Sequence, residues 1–174
     1  MIDCIALTLT CVRVRIPLLA AYALASLQPR TSCAPLDNAA DCSALLALYN
    51  ATGSKLDWKV DGTTSMCSWS GVTCASARVK RLELTGNGLT GTIPPAMGSL
   101  SELAGLALDL NDISGSLPTQ LGRLSSLKSL FLYFNDFSGT IPPQLALPSA
   151  TYLSMGYNYL SGTIPSSLVQ MPSL

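Results

Sequence analysis

The residues best suited to chemistry in this chain are its six cysteines, at positions 4, 11, 33, 42, 67 and 74. Cys67 and Cys74 enclose the segment CSWSGVTC, with Trp69 and Gly71 between them. Thiols in such a pair can hold a metal ion, exchange electrons or form a structural crosslink. The spacing of this pair alone does not distinguish these three chemistries. The sequence around the pair must therefore be used to choose between them.

Composition argues against several functional classes. Histidine is absent, which removes the commonest general base and the commonest metal ligand. Ten basic residues balance ten acidic ones, and only 11% of the chain is charged, so no basic patch is available for nucleic acid. Asp112 and Asp136 share one repeat position and are interpreted as solvated turn residues. The sequence therefore predicts no enzyme activity, no cofactor and no metal.

The basic trio Arg78, Lys80 and Arg81 is interpreted as a solvated strand edge. It is too small to change the conclusion on nucleic acid.

The N-terminal segment 1–25 has the features of a secretory signal. Arg13 and Arg15 precede the apolar run IPLLAAYALASL, which has small residues near its end at Ala23 and Ala25. A signal anchor remains the alternative. Cleavage near Ala25 would leave four cysteines, an even number typical of an oxidising compartment.

From Val79 onward the sequence repeats at 24 residues, in units 79–102, 103–126, 127–149 and 150–173. The third unit is one residue short, and Leu174 opens a fifth, which favours a truncated chain. Three residue types recur in register. They are Asn87, Asn111, Asn135 and Asn158; Gly91, Gly115, Gly139 and Gly162; and Pro94, Pro118, Pro142 and Pro165.

Each unit predicts a short strand followed by a turn. Leucines alternate at period two, as in Leu82 and Leu84, which is typical of a half-buried strand. Each asparagine follows its strand and can satisfy backbone groups that the turn leaves unpaired, so stacked units would form an asparagine ladder. Each glycine permits a positive φ. No unit buries its apolar face alone, and the units must stack into a solenoid.

This pattern resembles the plant-type leucine-rich repeat, whose signature is roughly LxxLxLxxNxLxGxIPxxLxxL. The resemblance covers residues 79–174. It implies an α/β solenoid: a right-handed superhelix with a parallel sheet on its concave face and a second short strand around each Gly-x-Ile-Pro segment.

Residues 26–78 resemble the N-terminal cap of the same family. The segment DCSALLALYNATG predicts a helix capped by Asp41 and ended by Gly53, and CSWSGVTC follows it. The resemblance implies that Cys67 and Cys74 form a disulfide. A zinc site would need four ligands at tighter spacing, and a redox motif would be Cys-x-x-Cys. Cys33 and Cys42 form a candidate second pair whose connectivity stays open, because family caps often carry a cysteine nearer the tryptophan.

Asn50 heads the sequon Asn-Ala-Thr and is a candidate glycosylation site.

Outward residues of the concave strands are the usual contact surface of such a solenoid. Seven of the eleven aromatic residues fall between Phe131 and Tyr159. Phe137 takes a leucine position and is predicted to be core, and Tyr159 is predicted to face a turn. The predicted ligand-binding residues are Phe131, Tyr133, Phe134, Tyr152, Tyr157, Arg81, Glu83 and Asp109.

Two functional hypotheses follow. The leading one is a secreted or cell-surface recognition module, or a fragment of a receptor-like protein or receptor-like kinase, that binds a protein, a peptide or a cell-wall carbohydrate. A kinase domain in a longer parent chain stays open. The alternative is a structural surface, such as an ice-binding or wall-associated protein, which would use the row Thr92, Ser116, Thr140 and Thr163.

Overall fold

A computed structural model describes residues 33–53 and 55–169, so the predicted signal segment 1–25 lies outside the described residues. The described part of the chain contains a cap helix, α1, at Ala39–Ala51 near its start and a short helix, α2, at Ser166–Val169 at its end. Eight strands lie between these helices in the described part. They are β1 Val72–Ala75, β2 Arg78–Glu83, β3 Gly105–Ala107, β4 Ser114–Gly115, β5 Ser129–Phe131, β6 Asp136–Thr140, β7 Tyr152–Ser154 and β8 Tyr159–Ser161.

Across the described residues, five strands form one sheet in the order β1-β2-β3-β5-β7. The pair β1–β2 is antiparallel, and every later pair is parallel. In this register Leu82, Leu106, Leu130 and Leu153 are direct neighbours on successive strands. Because side chains alternate along a strand, this leucine row faces the core and its flanking residues face outward. The predicted solenoid with a parallel sheet is confirmed.

The second strands β4, β6 and β8 also pair in parallel along another side of the solenoid. The first repeat has no second strand, although Ser114 N still donates to Gly91 O at 2.7 Å. The family pattern therefore holds here for the last three units only.

The side opposite the main sheet carries 3₁₀ turns. They occupy Pro95–Ser99 and Thr119–Arg123, each directly after an extended proline, Pro94 or Pro118. Proline fixes φ and lacks an N–H, so it can precede such a turn without losing a hydrogen bond. The third unit, which is one residue short, makes only a turn at 143–144.

The core runs along the solenoid as stacked leucines. Leu84, Leu108 and Leu132 are at most 1% exposed, and Phe137 is fully buried at a leucine position, as predicted. Leu153 and Met155 in the fourth unit are only partly buried.

The cap helix begins differently from the prediction. Asn38, not Asp41, is the N-cap, and its Oδ1 accepts from Asp41 N at 3.1 Å. The carboxylate of Asp41 is fully buried and contacts β2, the first strand of the repeats, instead: it pairs with Arg78 at 2.9 and 3.0 Å and accepts from Val79 N at 2.9 Å. Asparagine caps a helix as well as aspartate does, which leaves Asp41 free to join the cap to the solenoid.

Crosslinks and stacked tryptophans fix the rest of the cap. Cys33 is bonded to Cys42, and Cys67 to Cys74. The rings of Trp58 and Trp69 stack with centroids 4.9 Å apart, and both side chains are at most 5% exposed.

The end of the cap helix packs tightly on the first repeat. A Cβ added at Gly91, where φ is +80°, would lie 1.9 Å from Ala51 O. The glycine column therefore has the predicted positive φ, and at Gly91 it also permits the cap to approach.

Candidate ligand-recognition surface

An asparagine ladder runs along the ends of the main-sheet strands. Asn111 Oδ1 accepts from Leu89 N, Asn135 Oδ1 from Ile113 N and Asn158 Oδ1 from Phe137 N, at 2.9 to 3.0 Å. Each amide nitrogen also donates to a carbonyl of the preceding unit, to Leu84, Leu108 and Leu132 respectively, at 2.9 Å. Each asparagine thus binds its own coil to the one before.

Asn87 departs from the prediction of a four-membered ladder. It is exposed, and among the described residues its amide donates only to Thr85 O of its own unit, at 3.1 Å. No repeat precedes this unit, so Asn87 has no earlier coil to join.

The residue before each ladder asparagine has a left-handed backbone. Leu110, Phe134 and Tyr157 have φ of 56°, 57° and 52°, where the first unit has Gly86. Bulky side chains rarely adopt this conformation, and it costs on the order of 1–3 kcal/mol. The conformation directs Phe134 and Tyr157 from the strand ends toward solvent, where they are 52% and 70% exposed. Sequence reasoning had placed both on the strands and had missed Leu110.

Three of the predicted aromatic residues form a ring cluster. Tyr133 lies 5.8 Å from Phe134 and 5.1 Å from Tyr157, measured between ring centroids. Phe134 stacks on Tyr157 at 5.7 Å with an interplanar angle of 25°. We call these three residues the ring cluster.

The other two predicted aromatics lie apart from the ring cluster. Phe131 ends β5 and pairs with Ser154, whereas Tyr152 begins β7 and pairs with Ser129. Both are exposed, and neither ring contacts another aromatic ring of the described chain. The predicted aromatic surface therefore consists of a cluster at the strand ends and two separate side chains on the sheet.

A groove of about 320 Å³ follows the asparagine ladder. Ladder asparagines 111, 135 and 158 line it together with residues on both sides of them in sequence. Those residues are Phe134 and Tyr157 before the ladder, and Asp112, Asp136 and Tyr159 after it. We call this the ladder groove. Tyr159 was expected to face a turn, but it begins β8 and is 72% exposed beside the groove.

The predicted polar contact residues already have partners within the protein. Arg81 Nε lies 3.2 Å from Glu83 Oε1, with both side chains more than half exposed. Asp109 Oδ1 accepts from the Thr85 hydroxyl at 3.2 Å. Arg81 and Glu83 lie on β2, and Thr85 and Asp109 follow β2 and β3, whereas the predicted aromatic residues lie on or after β5 and β7.

The basic trio is not a simple solvated edge. The hydrogen bond to Asp41 raises the pKa of Arg78, and Lys80 pairs with Glu102, which lowers the pKa of that carboxyl. Arg78 therefore joins the cap to the solenoid, whereas Lys80 and Glu102 pair within the first repeat.

Asn50 is exposed near the end of the cap helix, whereas Thr52 is buried and its hydroxyl donates to Leu48 O at 2.8 Å. Use of this sequon stays a prediction.

Two observations concern the described part of the chain only. Within residues 33–53 and 55–169 there is no group of three or more His, Cys, Asp or Glu side chains that could hold a metal ion. The same ranges contain no helix that is long and apolar enough to cross a membrane.

Comparison with known proteins identifies both parts of this architecture. Residues 38–75 match the leucine rich repeat N-terminal domain, and residues 78–100, 126–147 and 149–171 match the leucine rich repeat. The matched ranges omit most of the second unit, which nevertheless contributes β3 and β4.

Similar solved structures include the BIR3–SERK2 complex from Arabidopsis thaliana, at 32% identity and a TM-score of 0.67, covering 75% of this chain and 76% of that one. The HAESA ectodomain of the same organism, in complex with an IDA peptide hormone ligand, is 32% identical with a TM-score of 0.68, and the match covers 77% of this chain and 23% of that one.

Among curated relatives, the probable inactive receptor kinase RLK902 of Arabidopsis thaliana is 46% identical over 76 residues, which is 42% of this chain. The match spans only 12% of that relative's length.

The chain belongs to the leucine-rich repeat family, with the N-terminal cap found in plant receptor-kinase ectodomains. It has the ligand-binding fold of those ectodomains. The comparisons give no support to the alternative of a structural surface protein.

Proposed function

We propose that this chain is an extracellular recognition module that binds a peptide or protein ligand on its concave face, as the ligand-binding part of a receptor-like protein or kinase. The observation that carries the proposal is the set of exposed aromatic side chains that lie on β5 and β7 of that face or directly follow these strands. Aromatic side chains bury much area at low entropic cost, and they dominate the binding energy of many interfaces.

Three further observations support the proposal. Disulfides in the cap suit an oxidising compartment. The HAESA ectodomain, which shares this fold, is described with a peptide hormone ligand. The only polar side chains predicted for contact are internally paired, so the aromatic residues provide the free surface of the described concave face.

Selection from a random peptide library against the full 174-residue chain tests the proposal. We expect enriched peptides whose affinity falls by about 30-fold or more when Phe131 and Tyr152 are both replaced by serine, because truncation of a single hot-spot residue costs about 2 kcal/mol. Both side chains are exposed, so these substitutions leave the core intact.

Ile164→Ala provides the matched control. Ile164 is 69% exposed but lies outside the concave sheet. Peptides that respond to Ile164→Ala and ignore the two serine substitutions would contradict the concave-face proposal. Failure to enrich any peptide, alongside binding of cell-wall oligosaccharides, would replace the peptide with a carbohydrate ligand.

A further inference from the structure

The ladder groove differs from the open concave sheet because it combines aromatic rings with carboxylates. The ladder amides that line it are already hydrogen-bonded to the backbone. Selectivity must therefore come from its two walls. We call the lining residues that precede the ladder in sequence, Phe134 and Tyr157, its first wall, and those that follow it, Asp112, Asp136 and Tyr159, its second wall.

The carboxylates of the second wall are without partners. Asp112 and Asp136 are both exposed, and within residues 33–53 and 55–169 neither carboxylate accepts a hydrogen bond or pairs with a cation. The basic residues of the second and third units lie elsewhere: Arg123 ends a 3₁₀ turn, and Lys128 precedes β5 at the opposite end of the strand from the ladder. The groove therefore carries net negative charge.

The rings of the first wall suit a flat cation. Phe134 and Tyr157 stack within 25° of parallel and present an aromatic face beside the carboxylates. A guanidinium group is planar, weakly hydrated and able to stack on a ring while it donates to a carboxylate. A lysine ammonium matches the charge but not the flat ring surface.

The size of the groove limits what it can hold. Its volume of about 320 Å³ is at the lower end of the range for small-molecule sites, roughly 300–1,000 Å³. It suits one long side chain and not a whole peptide.

We propose that the ladder groove binds the arginine side chain of a peptide ligand, with the guanidinium stacked on the Phe134–Tyr157 rings and paired with Asp112 and Asp136. This proposal rests on the proposed function, since it assigns one subsite to a peptide whose remaining residues contact Phe131 and Tyr152. It predicts a ligand that is basic as well as apolar.

Titration of the ¹⁵N-labelled full chain with N-acetyl-L-arginine amide tests the subsite alone. N-acetyl-L-citrulline amide, the neutral isostere, and N-acetyl-L-lysine amide are the comparison probes. We expect amide shift changes centred on residues 112, 134, 136 and 157. The arginine probe should bind about five-fold more tightly than the citrulline probe, as one or two exposed charge and cation–π contacts allow.

Two variants make the result specific. Asp112→Asn with Asp136→Asn should remove the preference for arginine over citrulline and should leave folding intact, because neither carboxylate has a partner to lose. Asp57→Asn is the matched control: among the described residues this cap carboxylate accepts from the Ser70 hydroxyl alone, at 3.2 Å, and it lies outside the ladder groove, so its replacement should leave the preference unchanged.

Equal binding of arginine and citrulline, a preference for lysine, or shift changes confined outside the groove would overturn the proposal. The two proposals fail separately. Library peptides that depend on Phe131 and Tyr152 but are indifferent to the Asp112 and Asp136 substitutions would leave the proposed function standing and remove the arginine subsite.

Discussion

Replacement of Asn135 by alanine should destabilise the solenoid far more than the same change at Asn87, although both occupy one repeat position. Asn135 is 6% exposed, and its Oδ1 is the acceptor for Ile113 N at 3.0 Å. Its amide donates to Leu108 O, Leu132 O and Tyr133 O. Asn87 is exposed and donates to a single carbonyl.

Most of the stability lost in Asn135→Ala comes from one backbone group, the N–H of Ile113. Leu108 O keeps a donor in Asn111, and Leu132 O keeps one in Asn158, so both carbonyls stay satisfied without Asn135. Ile113 N loses its acceptor inside the protein, and a buried unpaired N–H costs about 1–3 kcal/mol. With the net loss of the remaining bonds at about 1 kcal/mol, we expect the free energy of unfolding to fall by about 3 kcal/mol. For Asn87→Ala we expect a change within about 0.5 kcal/mol.

Urea unfolding of the full chain measures both values. Far-UV circular dichroism follows the repeats, and the fluorescence of Trp58 and Trp69 follows the cap, since both tryptophans lie there. With an m-value of about 2 kcal/mol/M, the Asn135 variant should unfold at about 1.5 M lower urea. Equal midpoint shifts for the two variants would refute the reasoning, because ladder bonds to the preceding coil would then contribute nothing.

Two further predictions concern the cap. Asp41→Asn should lower the free energy of unfolding by about 2–3 kcal/mol in urea melts, because it removes the buried partner of Arg78. Glu102→Gln, which changes the exposed carboxylate beside Arg78, should have a much smaller effect. Similar losses in the two variants would contradict the buried-pair argument. Hydrogen bonds from the backbone of residues 63 and 64 lower the pKa of the Asp61 carboxyl in the folded protein. The stability that this carboxylate contributes is therefore complete above its unfolded pKa of about 3.9, and it is lost as the pH falls through its folded pKa. Urea midpoints measured from pH 2 to 6 should therefore fall less steeply on acidification in Asp61→Asn than in the wild type, and parallel curves would contradict this assignment.

Features that repeat were predictable from the sequence. The leucine rows, the positive φ of the glycines and the buried Phe137 follow from residue type and position within one unit, and stacking imposes the same environment on each copy. The exposure of Asn87 was predictable in the same way, because the cap and not another repeat precedes its unit.

Features that depend on contacts distant in sequence were not predictable. Asp41 has the residue type of a helix cap, but its partner Arg78 is 37 residues away and no local pattern marks the pair. The ladder groove was missed because its two walls come from positions before and after the asparagine, and sequence reasoning treated the first as strand and the second as solvated turn. A usable signal was present: bulky residues at 110, 134 and 157 stand where the first unit has a glycine.

The direction of the ladder has a consequence for biosynthesis. Each asparagine side chain hydrogen-bonds to backbone groups of the coil before it. Leu89 N therefore gains its acceptor only when Asn111 is in place, Ile113 N when Asn135 is, and Phe137 N when Asn158 is. A nascent coil leaving the ribosome therefore keeps an unpaired amide until its successor has been translated, which takes about 1–5 s at 5–20 residues per second. We expect folding to proceed vectorially from the cap, with the newest coil always the one most exposed to chaperones.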